Sequence, residues 1–157
     1  MKFKVSEDVD APADLVWARF TEFQGIEDDV RGRGADLARV GNWQPPVVGA
    51  AWRGAVKVRG RSRPLTSEIA TLDAPDRVDI RTTVGGMDAV YEMTFLSLRP
   101  DMTRVQAMLD LSANTLSARL ALQTLKLARG RVMQRLQGFL ARQGNLAEDD
   151  YQRSQRG

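Results

Sequence analysis

The sequence predicts an α+β fold: a curved antiparallel sheet of about six or seven strands wrapped round a long C-terminal helix, with two short helices after the first strand. Three observations carry this. The stretch VDAPADLVWARF compresses a strand end, a helix start and large apolar residues into one corner. The middle of the chain alternates apolar and polar residues with period two between turn signals, as half-buried strands do. From Leu116 onward the period becomes helical, with no proline.

Each element follows in order. KFKVSEDVD places Phe3, Val5, Glu7 and Val9 on one side of a first strand. Pro12 suits a first helical position, where its missing N–H goes unmissed. Val16, Trp17, Phe20 and Phe23 then recur at helical spacing, with Gly25 as a natural stop. IEDDVR is a second short helix, ended by the glycines at Gly32 and Gly34. ADLARV, AAWRGAVKVR, PLTSEIATL, RVDIRTTV, MDAVYEMTFLSL and TRVQAMLDL read as strands, separated by turns near Gly60, at DAPD, at Gly85–Gly86 and at RPDM. At 100° per residue, Leu122, Leu125, Val132, Met133, Leu136, Phe139 and Leu140 fall within an arc of about 120° on the final helix. GNLAEDDYQRSQRG is polar and is expected to fray, so the chain divides into one domain over residues 1–143 and a polar tail over residues 144–157.

Composition narrows the chemistry. With 27% charged and 43% hydrophobic residues the chain falls in the soluble globular class. No apolar run is long enough to cross a bilayer, and the opening MKFKVSEDVD lacks the apolar core of a signal peptide, which points to the cytoplasm. Cysteine and histidine are both absent. Thiolate and imidazole nucleophiles, zinc sites and histidine-based triads are thereby excluded, leaving carboxylates, Tyr, Lys, Arg and hydroxyls. Neither acidic run, Glu27–Asp29 or Glu148–Asp150, has the spacing of a calcium loop, so both read as solvated surface and no metal or cofactor is expected. The net charge of +3 gives no support to a nucleic-acid partner.

Strand, two short helices, antiparallel meander and one long terminal helix is the order of the helix-grip fold. VSEDVDAPADLVWARFTEF, the glycine-containing VGAAWRG and the amphipathic last helix resemble the SRPBCC superfamily over about residues 2–143. That superfamily includes START lipid-transfer domains, polyketide cyclase/dehydrase-like proteins, pollen-allergen-like proteins and coenzyme Q-binding proteins. The resemblance implies a hydrophobic cavity between sheet and final helix. A curved sheet cannot touch a straight helix along its whole length, and small inward residues such as Gly54, Ala89 and Ala107 would leave room there.

Candidate site residues follow from the inward faces. Tyr91 and Met93 sit in phase on one strand, and a buried tyrosine hydroxyl needs a partner in protein, water or ligand. Trp43, in the apolar loop GNWQPPVVG, is either a staple or a lid over the cavity. Leu125 and Val132 lie in the helical stripe. Arg129 falls near the centre of that stripe and needs a carboxylate, a ligand or a route to water; Glu7 is the internal candidate. Lys57, Arg59, Arg61 and Arg63 are read as a solvated hairpin with charges on its outer face or turn. Leu116, Leu120 and Leu127 lie opposite the stripe, covered by another part of the chain or by a second copy in a homodimer. The leading functional expectation is binding or carriage of a small hydrophobic molecule: a lipid, an isoprenoid or quinone, or a polyketide-like compound. No nucleic acid and no integral membrane association are expected. The alternatives are a polyketide cyclase or dehydratase, with Tyr91, Glu7 and Arg129 moving protons, and an interaction module built on the leucine row.

Overall fold

The computed structural model describes residues Met1–Arg156. The elements run β1 (Lys2–Val9), α1 (Ala13–Phe20), α2 (Phe23–Gly32), β2 (Asp36–Val40), β3 (Ala51–Val58), β4 (Arg61–Asp73), β5 (Arg77–Val84), β6 (Met87–Arg99), β7 (Met102–Ala113), α3 (Leu116–Leu127) and α4 (Arg129–Arg156). The seven strands form one antiparallel sheet in the order β1-β7-β6-β5-β4-β3-β2. β2 to β7 is a meander, and β1 closes on β7 with Phe3 opposite Leu109 and Val9 opposite Thr103. This is the predicted architecture, reached by the predicted route. Among the described residues no helix is long and apolar enough to cross a membrane.

The α4 helix lies across the concave face, and α1 and α2 close one end. Val9, Val16, Phe20, Ile69, Val78, Met93, Val105 and Leu140 are buried together. Phe20 meets Phe95 and Phe139 edge-on, at 5.6 and 6.2 Å between ring centroids, and Trp17 meets Phe95 at 5.3 Å. Such perpendicular pairs place ring edges on ring faces, adding to area burial. The Ala-Pro corner therefore packs against the sheet as its sequence suggests, with Pro12 capping the helix one position before its first turn.

Four details differ from expectation. The first helix ends at Phe20, before Gly25: Thr21 returns its hydroxyl to the Trp17 carbonyl at 2.7 Å, and Glu22 caps α2 by accepting from the Gly25 N–H at 3.0 Å. The long C-terminal helix is broken at Ala128, whose backbone N–H bonds the Thr124 and Leu125 carbonyls and closes α3. The segment expected to fray is helix through Arg156, held to α1 by a two-pronged ion pair from Arg19 to Asp150, 2.8 Å in each arm. Glu148 also accepts from the Asp10 N–H at 2.9 Å, so these acids tie the helix end down rather than facing water alone. Leu116, Leu120 and Leu127 remain 74%, 58% and 92% exposed, so no other described part of the chain covers that row, which removes the first of its two alternatives.

Candidate functional site

Two cavities lie side by side on the concave face. The first, about 220 Å³, is apolar and sits between α2, the sheet and Phe139 of α4. Trp52, Leu65, Ser67, Ile80, Thr82, Tyr91 and Met93 form its sheet wall. Period two explains the selection: Leu65 and Ser67 alternate along β4, Ile80 and Thr82 along β5, Tyr91 and Met93 along β6. Phe139 stands across from Tyr91 at 6.4 Å between centroids.

Two polar groups in this wall are in opposite states. Glu27 is only 4% exposed, yet its carboxylate accepts from Arg39 (Nη2 at 2.6 Å, Nε at 2.9 Å) and from the Trp52 indole at 3.0 Å. Hydrogen bonding from Arg39 outweighs burial and holds the carboxyl below its ordinary value of 4.5. It is fixed as an anion, with its oxygens already engaged. The Tyr91 hydroxyl, by contrast, is buried with no hydrogen-bond partner among the described residues. Burial pushes its phenol well above the usual value, so it stays protonated and able to donate.

The second cavity, about 340 Å³, opens between the β3–β4 turn, the β5–β6 turn and α3. Arg59, Arg61 and Arg63 line it together with Val58, Val84, Met87, Ala118 and Ala121. This corrects the outward placement of the basic hairpin. Arg59 and Gly60, with φ of 53° and 78°, form a two-residue turn, and Val58 pairs with Arg61 across it. Paired residues share a face, so Arg61 and Arg63 fall on the inward side, in phase with Leu65 and Ser67. That phase was the signal available in the sequence. Glu27 had one too, since it shares a helical face with Phe23, Ile26 and Val30.

Of the residues expected at a site, Tyr91 and Met93 line the apolar cavity. Trp43 does not line it; its ring stands perpendicular to Trp52 at 4.9 Å, its indole donates to the Ala51 carbonyl at 3.2 Å, and Arg39 lies over it at 4.1 Å. That is the staple arrangement. Leu125 and Val132 are half-buried and line neither cavity. Arg129 is exposed, donates to the Lys2 carbonyl at 2.8 Å and lies over the Phe3 ring at 4.8 Å. Glu7 accepts instead from Gln137 at 2.6 Å. The Arg129–Glu7 pair is not formed, and the break at Ala128 gives the reason: the wheel that centred Arg129 assumed one unbroken helix. Gly54, Ala89 and Ala107 line neither cavity. At Gly54 a Cβ would fall 1.6 Å from the Asp36 carbonyl oxygen, so the glycine serves the approach of β2.

The family model for polyketide cyclase/dehydrase and lipid transport matches residues 1–143. No curated protein matches the chain in sequence. Among solved structures, a Streptomyces aromatase/cyclase is similar with a TM-score of 0.67 at 20% identity, covering 94% of this chain and 93% of that one. A START superfamily protein from Mycobacterium smegmatis gives 0.54 at 14% identity, over 88% and 98% of the two chains. Norcoclaurine synthase from Thalictrum flavum gives 0.58 at 14% identity, over 73% and 70%. At these identities the likeness is one of fold.

Proposed function

The chain belongs to the polyketide cyclase/dehydrase and lipid transport family, and from that premise we propose that it binds and carries a small hydrophobic ligand on its concave face. The ligand is of the lipid, isoprenoid/quinone or polyketide-like class. The observation that carries this reading is the apolar cavity beneath Phe139, with the buried, unpartnered hydroxyl of Tyr91 in its wall. Such a site needs little polar apparatus: apolar surface transferred from water supplies roughly 25 cal/mol per Å², and one donor orients a carbonyl or hydroxyl.

Carriage is favoured over catalysis by the state of the titratable groups. A proton-moving pair works best with pKa values near the working pH. Glu27 is pushed down and Tyr91 up, and each is moved further from neutrality. The second reading, a cyclase or dehydratase, rests on Tyr91 alone as a donor to a substrate carbonyl. Native mass spectrometry of the protein with fatty acids, quinones and sterols tests the first reading. We expect uptake of an apolar mass, and its loss in Ile80→Trp, which fills the cavity. No uptake from any of these classes contradicts it; turnover of a linear poly-β-ketone that is abolished in Tyr91→Phe favours the second.

A further inference from the structure

We propose that the arginine-lined cavity is the polar half of the same binding groove and takes the anionic end, carboxylate or phosphate, of a long single-chain amphiphile whose apolar part lies beneath Phe139. This deepens the hydrophobic-ligand reading and rests on it. Continuity is the first argument. Arg63 and Leu65 are successive inward residues of β4, and Val84 and Thr82 are successive inward residues of β5; in each pair one lines the basic cavity and the other the apolar one. From Ser67 to Arg61 the β4 backbone advances ~20 Å, the scale of an extended lipid chain.

Volume is the second. The apolar cavity, about 220 Å³, is smaller than the roughly 300–1,000 Å³ typical of sites that enclose a drug-sized ligand. A ligand of lipid length must extend beyond it, and the adjoining space is the basic cavity.

Charge is the third. Among the described residues, Arg59, Arg61 and Arg63 make no ion pair. Arg59 donates to Thr124 on α3 at 3.3 Å, which ties the turn to the cavity's other wall. The carboxylate at the tip of the facing hairpin, Asp88, is on the opposite face, where Thr83 and Asn114 donate to it. No acidic residue occurs between Asp110 and Glu148, so α3 brings none. Three solvent-exposed arginines thus line an apolar-walled recess with no counter-charge among the described residues. An acidic end group relieves their mutual repulsion and accepts charge-assisted hydrogen bonds.

The test is calorimetric titration of hexadecanoic acid, hexadecyl phosphate and hexadecan-1-ol into the wild type, Arg61→Gln/Arg63→Gln and Arg61→Lys/Arg63→Lys. In the Gln variant we expect at least one acidic probe to weaken about tenfold or more and the alcohol to change less than about twofold. The Lys variant should recover part of the loss. The preferred acid in the wild type distinguishes carboxylate from phosphate. Equal affinities of acids and alcohol for wild type and Gln variant would overturn the proposal while leaving the hydrophobic-ligand reading intact. Failure of the wild type to bind all three, the alcohol included, would overturn both.

Discussion

At the α2 end of the groove Glu27 is buried but surrounded by donors from Arg39 and Trp52, while at the hairpin end Arg59, Arg61 and Arg63 line a recess with no carboxylate among the described residues. The first arrangement closes its electrostatics within the protein. The second leaves them open. A charge that is paired inside a chain serves that chain's stability, because removing its partner strands it. A charge left unpaired at a cavity can be substituted at little cost to the fold, and its effect is felt by whatever enters. The two ends should therefore separate stability from binding.

Glu27→Gln is the largest expected break in that comparison. It leaves Arg39 without its anion, and because Arg39 keeps some contact with water the cost should be about 2–3 kcal/mol, at or below the usual range for breaking a buried pair. Urea unfolding measures it. A loss under about 0.5 kcal/mol would mean that the pair is no more than a surface contact.

Acid should act at the same end. Arg39 holds the Glu27 carboxyl below its ordinary value, and Arg19 does the same for Asp150. Groups whose folded pKa is lowered contribute stability that is complete above their unfolded pKa and is lost as pH falls through the folded one. Unfolding free energy should thus stay level from neutral pH down to about pH 5 and decline below about pH 4.5. Glu27→Gln should decline less steeply over that range. A variant as acid-sensitive as the wild type would remove Glu27 from the account.

Tyr91→Phe sharpens the comparison from the ligand's side. The hydroxyl has no partner to lose among the described residues, so stability should change by less than about 1 kcal/mol and in either direction. Binding of a quinone should weaken while that of a plain hydrocarbon chain stays level. A large destabilisation with no change in ligand preference would assign Tyr91 to the core alone. The smallest effect is expected for Arg61→Gln/Arg63→Gln, within about 0.5 kcal/mol of the wild type by thermal or urea unfolding.

How much of this was legible in the sequence depended on whether a residue's position is fixed locally. The strands from Ala51 to Ala113 follow their alternation, and Tyr91 and Met93 reach the cavity because parity along β6 decides their face. The helical tail was missed because its main anchors are distant; Arg19 and the Asp10 N–H, more than 100 residues away, hold Asp150 and Glu148. Arg129 was misplaced by carrying one helical phase through Ala128. Arg61 and Arg63 were legible in principle, by counting parity back from Leu65 across a two-residue turn. Glu27 was obscured by composition: an acidic run reads as surface until its phase with Phe23 and Val30 is followed.

The central claim, that one extended groove holds an amphiphile in a fixed direction, is tested most directly through two methionines. Met93 lines the apolar cavity and Met87 the basic one. With methyl-13C methionine, a fatty acid carrying a nitroxide near its hydrocarbon end should broaden the Met93 methyl signal most. The same acid labelled near its carboxylate should broaden Met87 instead. Reversal of that pattern, or saturating acid that leaves both methyl signals unchanged, would contradict the account.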